Sequence, residues 1–375
     1  MTRRVVLVDL LFFTGRKGGM ESYVREVYSR LSPDDPELEY VGLASAELAE
    51  AGAPWFPGPL VASGIRGEDR IAWARGELFS IGPAARRAGA SVVHCPANFG
   101  PAFARVPVVL TVHDLLAFRH PEYVPGAYAS VLRSMIRRAA RAARRILTVS
   151  ASTRDDLVRL LGVPAGRIDV VPLAGSARAA AQPGREAARR DDLLLAVGNR
   201  MPHKNFERLL EALARIPEPR RPRLVVTGSH GPDPLAPVVD RLGLGRWVEL
   251  RGWIEAAELE RLYAEATALV FPTLFEGFGL PTLEAMSRGC PVICSDLPVV
   301  REVAGDAARY VDPRDADDLA RAIIEVCADR PLRDRMSRDG LARAARFSWE
   351  RTARGTRASL LSAARAITAT PAIPD

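Results

Sequence analysis

The amino-acid sequence predicts an α/β protein with two doubly wound domains, each built on a parallel sheet, that face a central cleft. Three observations lead to this prediction. The chain has 375 residues, which is more than one ordinary domain holds. Short, continuously apolar runs alternate with helical patterns from end to end, as expected for parallel strands buried on both faces. The alternation stops once, in a segment rich in Ala, Arg, Pro and Gly, and then resumes.

The first domain is expected over residues 1–175. Its segment 51–77 is irregular and predicts no regular element. Elsewhere the apolar runs predict strands and the amphipathic runs between them predict helices. The clearest of these elements are the strands Val5–Leu11, Val92–Cys95, Val108–Val112 and Ile146–Val149 and the helices Ser22–Leu31 and Ser152–Leu161.

Residues 176–191 are interpreted as a linker, and residues 192–348 as the second domain. In the terminal segment 349–375, a helix from Trp349 to Ala366 is expected to cross back to the first domain. The elements predicted for the second domain are the strands Leu193–Val197, Leu224–Thr227, Trp247–Leu250, Ala268–Phe271, Val292–Cys294 and Arg309–Val311, and the helices Phe206–Ile216, Ala256–Glu265, Leu283–Arg288 and Asp317–Ala328.

Composition excludes several classes of protein. Hydrophobic residues make up 48% and charged residues 26% of the chain, which is typical of a globular protein and not of a disordered one. No apolar run reaches the roughly 18–20 residues that span a bilayer. Asp9 interrupts the first apolar run, so we interpret that run as a buried strand and not as a secretion signal. The four cysteines form no CxxC pair and are expected to be packed thiols in a reducing cytoplasm.

The net charge of +7 comes almost entirely from arginine, because only Lys17 and Lys204 are lysines. The densest basic stretch, Arg133–Arg145, carries apolar residues at helical spacing. Two interpretations stay open: a basic amphipathic helix that lies on an anionic membrane, or a solvated helix face packed on a sheet. Aromatic residues do not alternate with these arginines, so no nucleic-acid partner is expected.

Ligands of doubly wound sheets bind at the carboxyl ends of the strands, so the loops that follow strands are the candidates for binding and catalysis. The first such loop contains Gly18-Gly19, which allows backbone N–H groups to approach an anion. The loop matches neither GxxxxGK[ST] nor GxGxxG. An anion site and a plain tight turn are both compatible with it.

The second loop, Gly198 to Phe206, carries two cations before a predicted helix, which Pro202 is expected to begin. Two cations at the positive end of a helix dipole are favourable if an anion lies between them. Lys204 is therefore predicted to be a phosphate ligand, and so is Arg200, with a surface salt bridge as the alternative for the arginine. His203 is expected to pack or to be solvated.

The third loop, Phe271 to Met286, contains two glycines and then Pro281, which suits the first turn of a helix. N–H groups near that turn are expected to face a phosphate, those of Gly279, Leu280, Thr282 and Leu283. Glu276 and Glu284 flank the turn and are good acceptors for sugar hydroxyls. For Glu284, compensation of the helix dipole is the alternative. The three loops together predict a ligand with phosphates in its middle and polyols on either side.

The segment Glu276–Glu284 resembles the E-x7-E motif of the retaining GT-B glycosyltransferases of family 4, the "group 1" glycosyl transferases. Further blocks that match in the same order are Gly18–Glu21, Thr148–Ser150, Gly198–Asn205 and Leu250–Trp253. The stretch from Val92 to Glu122 resembles the bacterial polysaccharide branch of that family. The segment Val171–Ser176 departs from the family's hinge pattern, so no site is transferred to it.

This resemblance implies two Rossmann-like domains and a nucleotide-diphosphate sugar as donor substrate, with no other cofactor and no metal. It implies that Glu284 holds the ribose, and that Glu276 holds the donor sugar and β-phosphate together with the backbone of Phe278, Gly279 and Leu280. It also implies that Arg200 and Lys204 bind the diphosphate and that Gly18 and Gly19 close over it. It further implies that His113 lies near the reacting centre and that Trp253 and Ile254 contact the base. For His113, a packed histidine at a strand end is the alternative.

The expected reaction is transfer of a hexose, with mannose favoured, to a glycan or lipid-linked acceptor in cell-surface polysaccharide synthesis. The expected location is the cytoplasm, with peripheral contact at the inner face of the membrane through Arg133–Arg145 as an open option. Asp315-Ala316-Asp317 resembles a metal-binding DxD motif but opens a predicted helix, so we interpret it as a helix cap. The alternatives are a phosphorylase or epimerase of the same fold and a non-catalytic arginine-rich binding protein.

Overall fold

The computed structural model describes residues 3–15, 18–124, 126–175 and 192–365. The chain forms two compact units. Unit 1 contains the chain up to Leu173 and again from Trp349 onwards, and unit 2 contains Ala174–Ser348. The predicted linker, residues 176–191, lies outside the described residues, and so do Lys17 and the last residues of the predicted terminal helix.

Unit 1 is built on a seven-stranded sheet with the order β3-β2-β1-β4-β5-β6-β7, in which all neighbouring strands are parallel. Its strands are β1 (Arg4–Leu10), β2 (Leu38–Ala44), β3 (Leu60–Ala62), β4 (Val92–Cys95), β5 (Val108–Val112), β6 (Arg145–Thr148) and β7 (Ile168–Val170). Its helices before Leu173 are α1 (Gly19–Tyr28), α2 (Ala46–Ala51), α3 (Arg70–Phe79), α4 (Ile81–Arg87), α5 (Leu116–Arg119), α6 (Gly126–Ala142) and α7 (Ala151–Leu161).

Unit 2 has a six-stranded sheet with the order β10-β9-β8-β11-β12-β13, and its neighbouring strands are parallel too. Its strands are β8 (Leu193–Val197), β9 (Arg223–Ser229), β10 (Val248–Gly252), β11 (Ala268–Phe271), β12 (Val292–Ser295) and β13 (Arg309–Val311). Its helices are α8 (Phe206–Arg215), α9 (Ala236–Arg241), α10 (Ala256–Glu265), α11 (Leu280–Met286), α12 (Pro298–Ala304), α13 (Ala316–Ala328) and α14 (Arg330–Ala344).

The central strands of both sheets are buried along their whole length, as the continuously apolar runs predict. Every residue of β4, β5, β11 and β12 is buried. The helices cover the sheets with one apolar face each; in α8 that face consists of Phe206, Leu209, Leu210 and Leu213, which follow the helical period. The predicted fold of two doubly wound parallel sheets is therefore confirmed.

A last helix, α15 (Trp349–Arg365), belongs to unit 1. Thr352 donates to the carbonyl of Pro172 at 2.7 Å, and Arg357 pairs with Asp35 and Glu37. Ser359 donates to Asp169 of β7 at 2.6 Å. Helix α15 is thus bonded to the segment just before β2 and to β7, the last strand of this unit. Within the described ranges, no helix combines the length and the apolar character that crossing a membrane requires.

Three local predictions have clear outcomes. Asp315 caps α13, since its carboxylate accepts from the N–H groups of Asp317 and Asp318, so the helix-cap interpretation is confirmed. The cysteines are free thiols, and three of the four are buried. Pro202 begins a short 3₁₀ turn, Pro202–Lys204, and not α8 itself, which starts only after Asn205. The predicted start of that helix was therefore early, because Asn205 adopts a left-handed conformation, φ 60°, that ends the turn.

The order of strands reverses between β8 and β11 in unit 2, because the chain first builds the sheet outward from β8 and then returns to β11 on its other side. The loops after these two strands therefore diverge at the carboxyl edge and leave a crevice between them. Such switch points are where open α/β sheets bind ligands.

Candidate active site

An ion pair lies at the switch point of unit 2. The Nζ of Lys204, in the loop after β8, is 2.7 Å from Oε1 of Glu276, in the loop after β11. Both side chains are largely buried, with 14% and 12% of their surface exposed. The ammonium also lies 5.6 Å from the centroid of the Phe271 ring. Two predicted site residues that are distant in sequence thus meet at the predicted edge of the sheet.

Backbone contacts fix the position of Lys204. The side-chain amide of Asn205 donates to the carbonyls of Pro272, at 2.9 Å, and Pro313, at 2.7 Å, which ties its turn to the ends of β11 and β13. A Cβ on Gly198 would lie 3.6 Å from the lysine stem, so the stem rests on this glycine. A Cβ on Gly228, whose φ is +98°, would lie only 2.6 Å from the Gly198 carbonyl, so the loops after β8 and β9 can approach this closely only with glycine there.

The loop after β11 is bonded to the same turn. The N–H of Leu274 and the hydroxyl of Thr273 both donate to the carbonyl of His203, at 2.7 and 3.1 Å. His203 is buried, as the packing interpretation expects. Glu276 therefore extends from a segment that is anchored to the Lys204 turn, which explains how the two partners stay in register.

The glycine-rich part of this loop leads into α11. Phe278 is buried edge-on against Phe347, with ring centroids 6.0 Å apart, and Gly279 adopts φ +97° immediately before the helix. Leu280 and Pro281 form its first turn, as predicted for Pro281. The N–H of Thr282 donates to the Gly279 carbonyl at 3.0 Å, so it is not available to a phosphate, and that part of the prediction was wrong.

Glu284 lies on α11, where the hydroxyl of Tyr263 donates to its Oε2 at 3.0 Å. Burial raises the pKa of Glu284 above its ordinary value; the charge of Arg288 and the tyrosine hydroxyl oppose this shift without cancelling it. Arg288 is held in turn by Glu260 and lies 4.9 Å from the Tyr263 ring centroid. Glu284 is thus a positioned carboxylate with acceptor capacity left for a ligand hydroxyl.

Arg200 lies at the same edge but not in the Lys204–Glu276 pair. Its guanidinium forms an ion pair with Asp233 at 2.7 Å, and only 6% of its side chain is exposed. Burial alone would raise the pKa of Asp233, but hydrogen bonds from Arg200 and the Leu235 N–H outweigh burial and hold this pKa below its ordinary value. The other acceptors of Arg200 are the carbonyls of Gly198, Val226, Thr227 and Arg251. The described contacts are those of a buried structural pair and differ from those expected of a phosphate ligand.

Trp253 and Ile254 follow β10 directly. The Trp253 side chain is 59% exposed and stacks on the ring of His230, which follows β9, with centroids 5.2 Å apart and planes inclined by 16°. Ile254 is partly buried. The predicted base-binding residues therefore lie at the carboxyl edge of the sheet, and β9 and β8 separate their strand from β11.

In unit 1, Gly18 and Gly19 begin α1. Gly18 is the N-cap, and a Cβ on Gly19 would meet no atom within 4 Å, so the space beside it is open. The buried carboxylate of Glu21 accepts from the N–H of Thr14 at 2.6 Å and from its hydroxyl at 2.9 Å. This glutamate closes the loop onto the first turn of the helix and holds the two glycines in place.

His113 follows β5 and is fixed by the loop after β4. The backbone N–H of His113 donates to Oδ1 of Asn98 at 2.7 Å, and the Nε2 of its ring lies 2.8 Å from the carbonyl oxygen of Pro96. A carbonyl can only accept, so Nε2 carries the proton and Nδ1 carries a lone pair. Burial lowers the pKa of His113 below its ordinary value, although the Pro96 bond and the charge of Asp114 oppose this. A neutral imidazole with Nδ1 as an acceptor suits a sugar hydroxyl.

Sequence reasoning missed the residues that position these groups. Tyr263 orients Glu284, Asn98 adopts φ 67° and orients His113, and Asp233 holds Arg200. Each partner is far from its target in the sequence, and nothing in the local pattern marks it. A left-handed asparagine is the one feature with a recognisable residue preference.

Comparison with known proteins identifies the family. Residues 17–174 match the family described as Glycosyltransferase Family 4, and residues 180–343 match Glycosyl transferases group 1. The two matches together span most of both units.

Two relatives of known activity share about a third of the aligned residues. The O-antigen chain mannosyltransferase B of Escherichia coli is 35% identical, over 64% of this chain and 67% of the relative. The MMP alpha-(1->4)-mannosyltransferase of Mycolicibacterium hassiacum is 31% identical, over 73% of this chain and 71% of the relative.

Among solved structures, the sucrose-phosphate synthase of Thermosynechococcus elongatus superposes with a TM-score of 0.73 at 20% identity, over 98% of this chain and 100% of that one. This likeness supports the GT-B fold. Together with the family matches and the mannosyltransferase relatives, it establishes that the chain belongs to the family 4, or group 1, glycosyltransferases.

Proposed function

We propose that this glycosyltransferase moves mannose from a nucleoside-diphosphate sugar to a glycan or lipid-linked acceptor of a cell-surface polysaccharide, with retention of the anomeric configuration. The observation that carries the proposal is the Lys204–Glu276 pair at the switch point of unit 2. The mannosyltransferase relatives support the choice of sugar.

Lys204 supplies the positive charge for the leaving group. Cleavage of a glycosyl phosphate builds negative charge on the departing diphosphate, and a preorganised cation stabilises that charge where it develops. The pair with Glu276 is largely buried, so the ammonium is held in place before the donor binds. When the diphosphate arrives, Lys204 can turn to it while Glu276 accepts hydrogen bonds from hydroxyls of the sugar.

Glu284 is the second carboxylate that we propose for donor binding in unit 2, and His113 is the acceptor for a sugar hydroxyl that we propose for unit 1. Glu284 accepts from ribose hydroxyls, with Tyr263 fixing its second oxygen. His113 accepts a hydroxyl of the transferred sugar through Nδ1, since its Nε2 is committed to Pro96. Gly19 leaves open space beside α1, which suits the approach of an anion. We expect no metal in this step, because protein groups supply the positive charge.

Retention is proposed to arise because a hydroxyl of the acceptor attacks the anomeric carbon of the sugar on the same face from which the diphosphate departs. The test incubates the protein with GDP-mannose, UDP-glucose and other nucleotide sugars, and follows release of the nucleoside diphosphate and transfer to mannoside acceptors. NMR of the first-formed product then gives its anomeric configuration. Mannose transfer with retention is expected. An inverted product refutes the mechanism, and transfer of a sugar other than mannose alone refutes the proposed donor. Transfer of the sugar to inorganic phosphate, with no transfer to acceptors, would indicate a phosphorylase.

We further propose that α6 contacts an anionic membrane. Arg138 is exposed and its guanidinium lies 5.2 Å from the ring centroid of Phe103, which is 78% exposed. Val131, on the same helix, is 52% exposed. Exposed cations beside exposed apolar side chains are suited to a membrane surface with anionic head groups. Arg145, by contrast, pairs with Asp169 and is not part of this surface.

The membrane proposal is tested by co-sedimentation with phosphatidylcholine vesicles, with and without phosphatidylglycerol. Binding is expected only with the anionic lipid, and it should fall on addition of salt and in a variant that combines Arg138→Gln with Phe103→Ser. The matched control is Arg301→Gln, which removes an exposed arginine from unit 2. Equal binding to both vesicle types, or by all three proteins, would contradict the proposal.

A further inference from the structure

The guanidinium of Arg200 joins the carboxyl ends of three neighbouring strands. It donates to the Gly198 carbonyl directly after β8, at 3.0 Å, and to the Thr227 carbonyl in β9, at 2.9 Å. Weaker bonds of 3.2 and 3.4 Å reach Val226 in β9 and Arg251 in β10. Its remaining donors bind both oxygens of Asp233, in the loop after β9.

In this group, His230 follows β9 and Trp253 follows β10, and the rings of these two residues stack on each other. Trp253 presents 59% of its surface to solvent, which is unusual for so large an aromatic side chain at the edge of a sheet. A flat aromatic surface beside a phosphate site suits a nucleobase, because every base has a face on which such a ring can stack. The spacing of β9 and β10 at their ends decides whether these rings lie in that stacked geometry.

We propose that Arg200, through its buried pair with Asp233, is a positioning residue that holds His230 and Trp253 as the base-binding surface, and is not a ligand of the diphosphate. This inference rests on the proposed function, because it assumes a nucleotide donor. It also replaces the role that the sequence predicted for Arg200.

The free-energy cost of breaking its buried contacts favours a positioning role for Arg200 over binding of phosphate. To reach a phosphate, Arg200 would have to leave its carbonyl acceptors and Asp233, whose side chain is only 14% exposed. A buried carboxylate that loses its partner is strongly destabilised, so this exchange is unfavourable. The partner of Lys204, Glu276, is buried to a similar degree, but it is itself proposed to gain hydrogen bonds from the donor sugar when Lys204 turns to the diphosphate.

Two substitutions separate the roles. In Arg200→Lys the positive charge remains, but an ammonium lacks the planar fork that reaches carbonyls of three strands and a carboxylate at once. In Asp233→Asn the arginine loses its competing anion. If Arg200 bound phosphate, Lys would substitute in part and Asn would leave Arg200 more available, so Asp233→Asn would bind nucleotide as tightly as the wild type or more tightly. If Arg200 positions the rings, both variants weaken binding.

The experiment measures dissociation constants of GDP, UDP and inorganic pyrophosphate by calorimetry, and KM and kcat for the donor sugar. For Arg200→Lys and Asp233→Asn we expect about tenfold weaker binding of the nucleoside diphosphate, with pyrophosphate changed by less than about twofold. The KM for the donor should rise by a similar factor while kcat changes little. The double variant should be no worse than either single one, because both act through one pair.

The matched control is Asp296→Asn, which breaks an exposed aspartate–arginine pair after β12 and should change none of these constants. Circular dichroism and the thermal midpoint identify a variant that does not fold. The other variant then decides, through the contrast between its binding of nucleoside diphosphate and of pyrophosphate. Unchanged or tighter nucleotide binding by Asp233→Asn overturns the inference alone, and so does weaker binding of pyrophosphate by both variants. If the wild type binds neither GDP nor UDP, the proposed function falls together with it.

Discussion

At the scale of single residues, the carboxylate of Glu284 lowers the stability of the folded protein. Its carboxylate is held by Tyr263 and flanked by Arg288, yet burial still raises its pKa above the ordinary value. A raised carboxyl pKa means that the ionised form is less favourable in the folded protein than in the unfolded chain. An ionised Glu284 therefore opposes folding, and we attribute its presence to the donor hydroxyls that it is proposed to bind.

We predict that Glu284→Gln stabilises the protein and weakens nucleotide binding. The gain should be about 1 kcal/mol at pH 8 and should fade towards pH 4, because the wild-type carboxyl is protonated below the ordinary glutamate pKa of about 4.3. Thermal unfolding across this pH range measures the gain, and calorimetry with GDP and UDP measures the binding. Glu218→Gln, at a side chain that is 76% exposed, is the control and should change neither. A destabilised Glu284→Gln with unchanged nucleotide affinity would contradict the account.

At the scale of elements, α3 packs on β1 through two carboxyl groups. Asp9 and Glu77 are both fully buried, and the indole of Trp73 donates to Glu77 at 2.7 Å. Burial raises the pKa of both groups, and the charge of Asp9 raises that of Glu77 further. The folded protein therefore keeps a proton on this pair of carboxyls to a higher pH than the unfolded chain does.

The consequence is a stability that falls with rising pH. Both folded-state pKa values are raised, so the favourable state is fully present at low pH and is lost as pH rises through them. We expect Glu77→Gln, whose amide can donate to Asp9, to match the wild type near pH 4, below the ordinary carboxyl pKa, and to be more stable by about 1–2 kcal/mol at pH 9. Urea unfolding at several pH values measures this. Identical pH dependence of the two proteins would show that the pair holds no shared proton.

The elements themselves were largely predictable, and the exceptions have local causes. Strands such as Val92–Cys95 and Val108–Val112 have the predicted bounds, because buried parallel strands are continuously apolar. Sequence reasoning missed β2, since Glu39 and Gly42 interrupt its apolar run. It also missed the three-residue β3 within the segment 51–77 and α3, which begins in that segment. Helix α3 is held largely by Asp69 at its N-cap and by buried Glu77, neither of which follows an apolar period.

The site was predictable in part for the same reason. The topology of parallel sheets brings the loops after β8 and β11 to one switch point, so the meeting of Lys204 and Glu276 follows from the order of elements. The direction of a side chain within a turn does not follow from it. Arg200 points towards the strand ends and Asp233. We attribute this direction to the close approach of Gly198 and Gly228, which the sequence alone does not show.

At the scale of the whole molecule, the chain returns to unit 1 after completing unit 2. Helix α15 is joined there by Arg357, which binds Asp35 before β2 and Glu37. The hydrogen bond from Arg357 lowers the pKa of Asp35 to about 2. The stability of unit 1 therefore depends on the last helix of the chain as well as on its first half.

We predict that Arg357→Met destabilises unit 1 by about 2 kcal/mol at pH 7. The lowered pKa of Asp35 means that its contribution is present above the ordinary aspartate pKa and is lost as pH falls towards 2, so the difference between variant and wild type should shrink in acid. Urea unfolding followed by circular dichroism at pH 7 and pH 3 measures both values. Arg351→Met, on the exposed side of the same helix, serves as the control. A loss that is equal at both pH values would mean that the ion pair does not carry it.

The central claim is that the Lys204–Glu276 pair marks the diphosphate site of a nucleotide-sugar donor. It is tested most directly by the stabilisation that GDP and UDP give to the wild type, to Lys204→Met and to Arg208→Met, a neighbouring arginine that is 39% exposed. The account predicts that one nucleotide raises the thermal midpoint of the wild type and of Arg208→Met, and that Lys204→Met binds it at least about tenfold more weakly. Equal stabilisation of Lys204→Met and the wild type would contradict it.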